Sequence, residues 1–416
     1  MSSEAAARHR RMTQQEVDAV CVRHDRLWSA KPGGARAMFA WADLTGLSLR
    51  GRNLCDADLT GAILADCDLT EARLDHANLF GADLQNAKLT HASMRRADLR
   101  GCCLRGADLS GADLFEADLR EGVIAAADAT LGIRVIETRL RSSEAQGASL
   151  AGANLERSKL SGVIALRADF SDAIMKDCKL VRANLKQANL SGADLAGADL
   201  SSADLSGADL RDAVLVGAKT TMWRADGADM TGALTDKPVG RPVDALPYDD
   251  MLRDHARWCE TGGREGKPSA FDNADLRSMK SVRGLNLTAL TARGAVFYGL
   301  DMEGVQLQGA HLEDADLRGC NLRHADLRGA RLTRAKLSGA DLREAQLSPL
   351  MIDAERLLPV DLTMAVLKGA DLSGANLHRA MMGGSDLSRA NFHGANLRQV
   401  DVTNAVRTGA KGLNAI

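Results

Sequence analysis

The chain has 416 residues, enough for two or three ordinary domains, yet aromatic residues make up only 3% of it. A conventional core depends on large aromatic and β-branched side chains, so this composition excludes one and leaves Leu and Ala to build the interior. The formal net charge of −2 is too small to indicate nucleic-acid binding or strong electrostatic steering.

The same features favour a cytoplasmic protein. No apolar run is long enough to span a bilayer. The basic start, Met1 to Arg11, has no apolar stretch after it and is not a secretory signal. The eight cysteines show neither Cys-x-x-Cys spacing nor a recognisable disulfide framework. This fits a reducing compartment and predicts no metal site.

Residues 1–40 predict a basic tail followed by a helix. Residues 13–16 read Thr-Gln-Gln-Glu, a capping-box pattern that begins a helix. The helix should end near Ser29, because residues 31–34 read Lys-Pro-Gly-Gly.

Next, a leucine returns every five residues from Leu44 to Leu119, with only Met94 in its place, in units that read Ala-Asp/Asn-Leu-X-Gly. In an α-helix a step of five residues turns the side chain by about 140° beyond a full circle, so the leucines would share no face. In a flat strand an odd step sends successive leucines to opposite faces. All the leucines stay inside only if the backbone turns a corner once per unit, which closes the chain into stacked coils. We therefore expect residues 41–236 to form a first solenoid block.

Two irregular segments interrupt the repeats. In the first block the central residues fall at positions ending in 4 or 9 through Ile124 and in 0 or 5 from Leu150, so the insertion near 125–147 contains one extra residue. The phase is kept across a second insertion near 348–360, which is expected to hold a short helix. Both insertions should bulge from the side of the stack.

A second copy of the same plan follows three prolines. Residues 237–270 predict a linker and a second helix containing His255 and Trp258, and residues 271–416 predict a second repeat block. Each helix should cover the open end of its stack, with Trp28 or Trp258 on its apolar side. The alternative is that His24 and His255 are ligands or catalytic bases. It is disfavoured because no carboxylate or cysteine recurs beside both histidines.

The repeat resembles that of the pentapeptide repeat proteins, whose motif is Ala-Asp/Asn-Leu-X-X. The resemblance covers Ala42 to Ile124, Ala148 to about Leu234 and Ala274 to about Ala405. It implies an all-β solenoid, a right-handed quadrilateral β-helix with four pentapeptides per coil, here in two tandem blocks that each follow a short capping α-helix. The central Leu and the residue two before it should point inward, as at Leu84, Leu109, Leu195, Leu327 and Leu372, and the Asp should face out.

This periodicity accounts for the features that otherwise suggest chemistry. The Asp rows recur because the repeat recurs, and no subset has calcium-loop spacing. Cys67, Cys102, Cys178 and Cys320 replace the small interior Ala. No phosphate loop, nucleophile elbow or His-Glu-x-x-His motif occurs. The sequence predicts a protein that is not an enzyme and has no catalytic residue, cofactor or metal.

The leading functional hypothesis is a protein-binding scaffold of a bacterial cytoplasm, in which stiff rods present outer faces and lateral loops to a protein partner. The open alternative is that the insertions are tolerated without a partner. An uncovered C-terminal coil, from Thr403, could also pair with a second copy as a homodimer. The candidate contacts are Arg134, Glu137, Arg139 and Arg141 in the first insertion, and Met351, Ile352 and Leu358 in the second.

A second hypothesis comes from the resemblance. Some members of that family mimic duplex DNA, bind DNA gyrase and alter its inhibition by quinolones. A mildly acidic first block agrees with such a DNA mimic, whereas the second block opposes it with exposed arginines. Direct nucleic-acid binding through the arginine-rich strip near Arg323–Arg334 is disfavoured, because no stacking aromatic residues accompany it. The arginines concerned are Arg318, Arg323, Arg328, Arg331 and Arg334.

Overall fold

The computed structural model describes residues 9–121, 126–128, 132–134, 142–279, 281–353 and 355–413, with the backbone alone at 126–128 and 132–134. The chain divides into two compact units, unit 1 with residues 1–236 and unit 2 with residues 237–416. Each unit has its own hydrophobic core.

Unit 1 begins with strand β1 (Arg10–Arg11), helix α1 (Gln14–Trp28) and strand β2 (Ala42–Asp43), and β1 pairs in parallel with β2. The predicted capping box is confirmed: the Thr13 hydroxyl accepts from the Glu16 N–H, and the Glu16 carboxylate accepts from the Thr13 N–H. These bonds satisfy donors that an uncapped helix end leaves unpaired. The first insertion contains an antiparallel pair of strands, β3 (Ala126–Asp128) and β4 (Gly132–Arg134).

Unit 2 repeats the order of strand, helix and strand. Strand β5 (Arg241–Pro242) leads through a 3-10 turn at Val243–Ala245 to helix α2 (Tyr248–Glu260), and β5 pairs in parallel with β6 (Ala274–Asp275). Farther along lie β7 (Leu350–Met351) and β8 (Leu357–Leu358), which pair antiparallel. None of the helices in the described part of the chain is long and apolar enough to cross a membrane.

The rest of each unit is a stack of coils. Single parallel bridges join residues 20 positions apart, as between Asp58 and Asn78 and between Asn78 and Asp98. In each pentapeptide the bridging residue is the one before the central Leu. Since bridged residues are four pentapeptides apart, one coil consists of four pentapeptides. This geometry confirms the four-sided coil that the resemblance implied. Neighbouring coils are then separated by the usual strand spacing of about 4.8 Å.

A tight turn closes every corner. Around Leu84, the N–H of Ala87 donates to the Leu84 carbonyl at 3.0 Å, while the N–H groups of Leu84 and Asn86 donate to the next coil. The second residue after the central Leu takes a left-handed conformation, as at Asp172 (φ 55°) and Gly192 (φ 68°). Gly tolerates this region best, which explains why it is the commonest residue at that position.

Leucines fill the interior as predicted. The five side chains named in the sequence analysis as interior are all 0% exposed. Two residues before the central Leu, the interior residue is most often Ala, and Cys or Ser replaces it at some positions. The Cys178 thiol donates to the Leu155 carbonyl at 2.7 Å, and the Ser158 hydroxyl makes the equivalent bond to the Leu114 carbonyl at 2.7 Å. A small polar group is therefore tolerated there because the preceding coil offers it a carbonyl acceptor.

Both insertions leave the stack and return to it. Across the first, Cys103 pairs with Glu144, 41 positions later instead of 20, which confirms that the phase shifts. Across the second, Arg331 pairs with Asp361, 30 positions later, so two whole pentapeptides are added and the phase is kept. The expectation of a short helix in the second insertion is wrong: the segment is the β7–β8 hairpin. Its two short apolar runs, residues 350–352 and 357–358, and its flanking prolines suit a short strand pair better than one helical turn.

Candidate functional site

The β7–β8 hairpin is a lateral loop whose strands the structure describes with their side chains. Leu350 pairs with Leu358, and Met351 pairs with Leu357. Because side chains alternate between the two faces of a strand, each pair lies on one face. Leu350 and Leu358 face the stack, whereas Met351 and Leu357 are 69% and 47% exposed.

Gly329 forms the floor under the hairpin. A Cβ atom placed on Gly329 would lie 2.8 Å from the Leu350 Cβ and 3.1 Å from a methyl carbon of Leu358. The two leucines therefore rest against a corner that has no side chain. This contact holds the hairpin on the coil, and only glycine permits the close approach.

Asp353 fixes the tip of the hairpin. Its carboxylate accepts hydrogen bonds from the N–H groups of Glu355 (3.1 Å) and Arg356 (2.9 Å), and the Arg356 guanidinium pairs with it. The hydrogen bond from Arg356 is the main reason that the pKa of Asp353 lies below its ordinary value. Ile352, beside this turn, is 51% exposed. We call Met351, Ile352 and Leu357 the hairpin surface.

Two more exposed methionines lie on the side of the coil that the chain re-enters after the hairpin. Met381 is 39% exposed and bridges Asp361, the residue that follows the hairpin in the stack. Met364, at the next corner, is 58% exposed. The second insertion and its neighbouring side thus carry a concentration of exposed apolar side chains.

The predicted contacts fare differently. Met351 and Ile352 are exposed on the hairpin surface, whereas Leu358 is half-buried against Gly329 and is not part of that surface. Leu357, which the sequence analysis did not name, is exposed on the hairpin surface; the alternation of side chains between the two faces of a strand would have identified it. Arg134 is described only as backbone in β4, and Glu137, Arg139 and Arg141 lie outside the described residues.

Each helix buries a histidine and leaves its tryptophan partly exposed. The buried residues of α1 are Val17, Cys21 and His24, one helical stripe, whereas Trp28 is 50% exposed at the last helical position. Trp28 follows His24 by one turn on the same side of the helix, but it lies beyond the buried residues and half of it is exposed. In α2, His255 is buried and Trp258 is half-buried.

His24 and His255 are placed as structural residues. Both side chains are 0% exposed, and each Nδ1 accepts a backbone hydrogen bond, from Ala37 and from Ser269 respectively. Burial lowers the pKa of both imidazoles, which keeps them neutral. Among the described residues, no group of three or more His, Cys, Asp or Glu side chains is placed to hold a metal ion.

Many of the outward Asp residues are paired with arginine. Asp209 and Asp341 each contact the Arg two positions later at 2.6 Å, and Asp118 contacts Arg120 at 2.7 Å. The pKa of Asp209 is lowered chiefly by its hydrogen bond with Arg211. The Asp-Leu-Arg version of the repeat thus neutralises its own carboxylate on the outer face.

Comparison with solved structures finds other pentapeptide repeat proteins. Rfr23 from the cyanobacterium Cyanothece 51142 is 27% identical, covers 33% of this chain and 91% of its own, and has a TM-score of 0.25. A protein of the Arabidopsis thaliana thylakoid lumen is 30% identical, with 28% and 74% covered and a TM-score of 0.22. QnrB1, a plasmid-mediated fluoroquinolone resistance protein, is 17% identical, with 56% and 95% covered and a TM-score of 0.25. TM-scores this low say nothing about function.

No curated protein matches the chain. A protein-family comparison matches Pentapeptide repeats over more than half of the chain, at residues 37–75, 77–114, 138–177, 178–217, 310–348 and 370–406. Pentapeptide repeat proteins fold as right-handed β-helices, in agreement with the parallel four-sided coils described above. The protein belongs to the pentapeptide repeat family.

Proposed function

We propose that the protein is a non-enzymatic scaffold that binds a protein partner through the hairpin surface. One observation carries this proposal: Met351, Ile352 and Leu357 are exposed on a hairpin that Gly329 and Asp353 hold in place. Exposed apolar side chains grouped on an ordered loop are typical of interaction sites. A rigid loop also loses little conformational entropy when it binds.

The two helices each cover part of the core of their own unit. Val17 and Cys21 of α1 belong to the same core as the coil leucines of unit 1, and Met251 and Leu252 of α2 pack against the core of unit 2. We propose that each helix caps the first coil of its stack, where leucines would otherwise meet water. The family's members are in general structural or binding proteins rather than enzymes, which supports a binding role.

The test compares two charge insertions. The full chain and its M351D/I352D variant are immobilised, and proteins captured from an extract of the native cell are identified by mass spectrometry. The matched control is Met222→Asp, because Met222 is 81% exposed at a corner of unit 1. We expect a set of proteins retained by the parent and by Met222→Asp but lost with M351D/I352D. Equal capture by all three proteins would refute the role of the hairpin surface.

The alternative, a DNA-mimicking modulator of DNA gyrase, has weaker support. A DNA mimic needs dense negative potential, whereas the outward carboxylates at Asp118, Asp209 and Asp341 are each paired with arginine. A gyrase supercoiling assay, with and without a quinolone, separates the two functions. A change in supercoiling or in drug sensitivity that survives M351D/I352D would favour the alternative.

A further inference from the structure

Two adjoining cavities of unit 1 share Trp28 as a wall. The first, of about 290 Å³, lies between Trp28 and the side chains of Arg73, His76, Arg95 and Arg96. The second, of about 310 Å³, lies between Leu27, Trp28 and Arg36. We call the pair the Trp28 groove. It belongs to unit 1 and contains no residue of the hairpin surface.

The chain path after α1 leaves Trp28 overhanging the coils. The N–H of Ala35 donates to the Arg23 carbonyl, so the chain turns back along the helix directly after its end. Gly34 makes this return possible, because a Cβ there would lie 2.4 Å from the Leu27 backbone nitrogen. As a result, Leu27 (47% exposed) and Trp28 (50% exposed) project beside the stack instead of packing into it. They supply the apolar wall of the groove.

The floor of the groove is cationic and only partly neutralised. Arg95 pairs with Asp113 and Arg96 with Glu116, each at 2.7 Å. Arg73 makes no ion pair or side-chain hydrogen bond with any residue that the structure describes.

Two acidic residues line the groove, Asp75 in the first cavity and Asp56 in the second. Asp75 already accepts two hydrogen bonds, from the Ser93 hydroxyl (2.5 Å) and the Arg95 N–H (3.1 Å). One exposed guanidinium is thus left without a counter-ion beside an apolar wall.

We propose that the Trp28 groove binds an acidic peptide segment of a partner protein. A carboxylate of the segment pairs with the Arg73 guanidinium, and an apolar side chain beside that carboxylate packs on Leu27 and Trp28. Arginine and carboxylate match each other in a two-pronged geometry, and tryptophan is a frequent anchor of protein interfaces.

Two features favour a peptide over a small anion. The walls are exposed side chains, so a small molecule would stay largely in water, whereas small-molecule sites bury most of their ligand. Arg95 and Arg96 already share carboxylates, and the Arg36 guanidinium donates to the Asp56 carbonyl. The remaining Arg73 guanidinium balances the charge of one carboxylate but only half the charge of a phosphate dianion.

The inference rests on the proposed binding function but concerns a second site. Its test is fluorescence anisotropy with the full chain and a fluorescein-labelled peptide of alternating Asp and Leu residues. We expect saturable binding that weakens at least about tenfold in Arg73→Glu and in Trp28→Ala, partial recovery in Trp28→Phe, and a marked loss on adding salt. M351D/I352D should bind the peptide as the parent does, so failure of the hairpin proposal would be seen separately.

The matched control is Arg224→Glu, the same charge reversal at an exposed arginine elsewhere in unit 1. If Arg73→Glu and Arg224→Glu weakened peptide binding equally, the attraction would be a general effect of charge rather than binding at the groove, which would overturn the proposal. So would equal binding of a peptide with Asn in place of Asp. Complete displacement by inorganic phosphate at matched ionic strength would make the groove a phosphate site and would likewise overturn it. Unchanged thermal midpoints of the variants establish that each is folded.

Discussion

The Nδ1 atom of His24 accepts a hydrogen bond from the backbone N–H of Ala37 at 3.0 Å. Unit 2 repeats the relationship, with His255 and Ser269 at 2.8 Å. In each unit a buried imidazole ties the helix to the segment that enters the first coil. Because Nδ1 accepts, each imidazole must be neutral with its proton on Nε2.

Replacing His24 by Ala should destabilise unit 1. The Ala37 N–H would lose its acceptor in a buried place, which costs about 1–3 kcal/mol in the free energy of unfolding. Urea unfolding followed by tryptophan fluorescence measures this loss. His24→Asn, whose side-chain oxygen can stand near the place of Nδ1, should recover part of it. If Asn proved no better than Ala, the hydrogen bond would not be the stabilising contact.

The same two histidines predict a pH dependence. Burial lowers their pKa in the folded protein below the ordinary value of 6.5, so the unfolded chain takes up protons first. Their contribution to stability is therefore complete above about pH 6.5 and is lost as the pH falls toward the folded pKa values. The thermal midpoint should drop between about pH 7.5 and about pH 5.5, and less so in the double variant His24→Asn/His255→Asn. An identical drop in that variant would assign the effect to other groups.

Polarity at an interior position should break the stack locally. Leu195 is 0% exposed, so Leu195→Ala should cost about 2–5 kcal/mol, and Leu195→Asp more because its charge has no partner inside the coil. Ser202→Asp is the control, since it adds the same charge at an outward corner, the second position after the central Leu, which Asp172 and Asp212 occupy in their own repeats. Thermal unfolding should separate the two Asp variants clearly. Similar midpoints would contradict the inward direction of the central Leu.

The interior position of Cys178 is expected to favour a small residue, because the central Met175 and Leu180 and the neighbouring coils surround it. The Cys178 thiol donates to the Leu155 carbonyl, and burial raises its pKa to about 12. Cys178→Ser should be nearly neutral, because Ser158 makes the same bond in the preceding coil. Cys178→Leu should lower stability by about 1–3 kcal/mol through overpacking. Thermal midpoints of the two variants test this, and equal values would show that the site is not tightly packed.

Gly329→Ala should loosen the hairpin without unfolding the coil. The added Cβ would lie 2.8 Å from Leu350, so the hairpin must move away. Gly339→Ala is the matched control, since Gly339 has the same φ of 65° but no atom within 4 Å of its added Cβ. Tryptic cleavage after Arg356 should be faster in Gly329→Ala alone. Equal rates in both variants would show that Gly329 does not hold the hairpin.

The repeat itself made most of the fold predictable. A five-residue period forces a corner in each unit, and the direction of Leu84 or Leu195 follows from that geometry alone. The capping box at Thr13 and Glu16 is a local pattern, so it could equally be predicted from the sequence. The number of sides was not, because it depends on how far the chain turns at each corner, and it came from the resemblance.

The candidate sites were harder to predict from the sequence because they depend on long-range packing. The side on which Leu358 lies is decided by Gly329, a residue of an earlier coil. The exposure of Trp28 is decided by the chain reversal at Gly34. The Trp28 groove joins a helix end to Arg73 and Arg95, which are far from Trp28 in sequence, and no local pattern connects them.

The way the coils close behind both insertions has a consequence for engineering. One excursion adds a multiple of five residues and the other does not, yet the bridges resume in full after each. A segment inserted at a corner of this solenoid therefore does not need a length that is a multiple of five residues. A foreign epitope or enzyme could replace the hairpin, provided its two ends meet across one interstrand step.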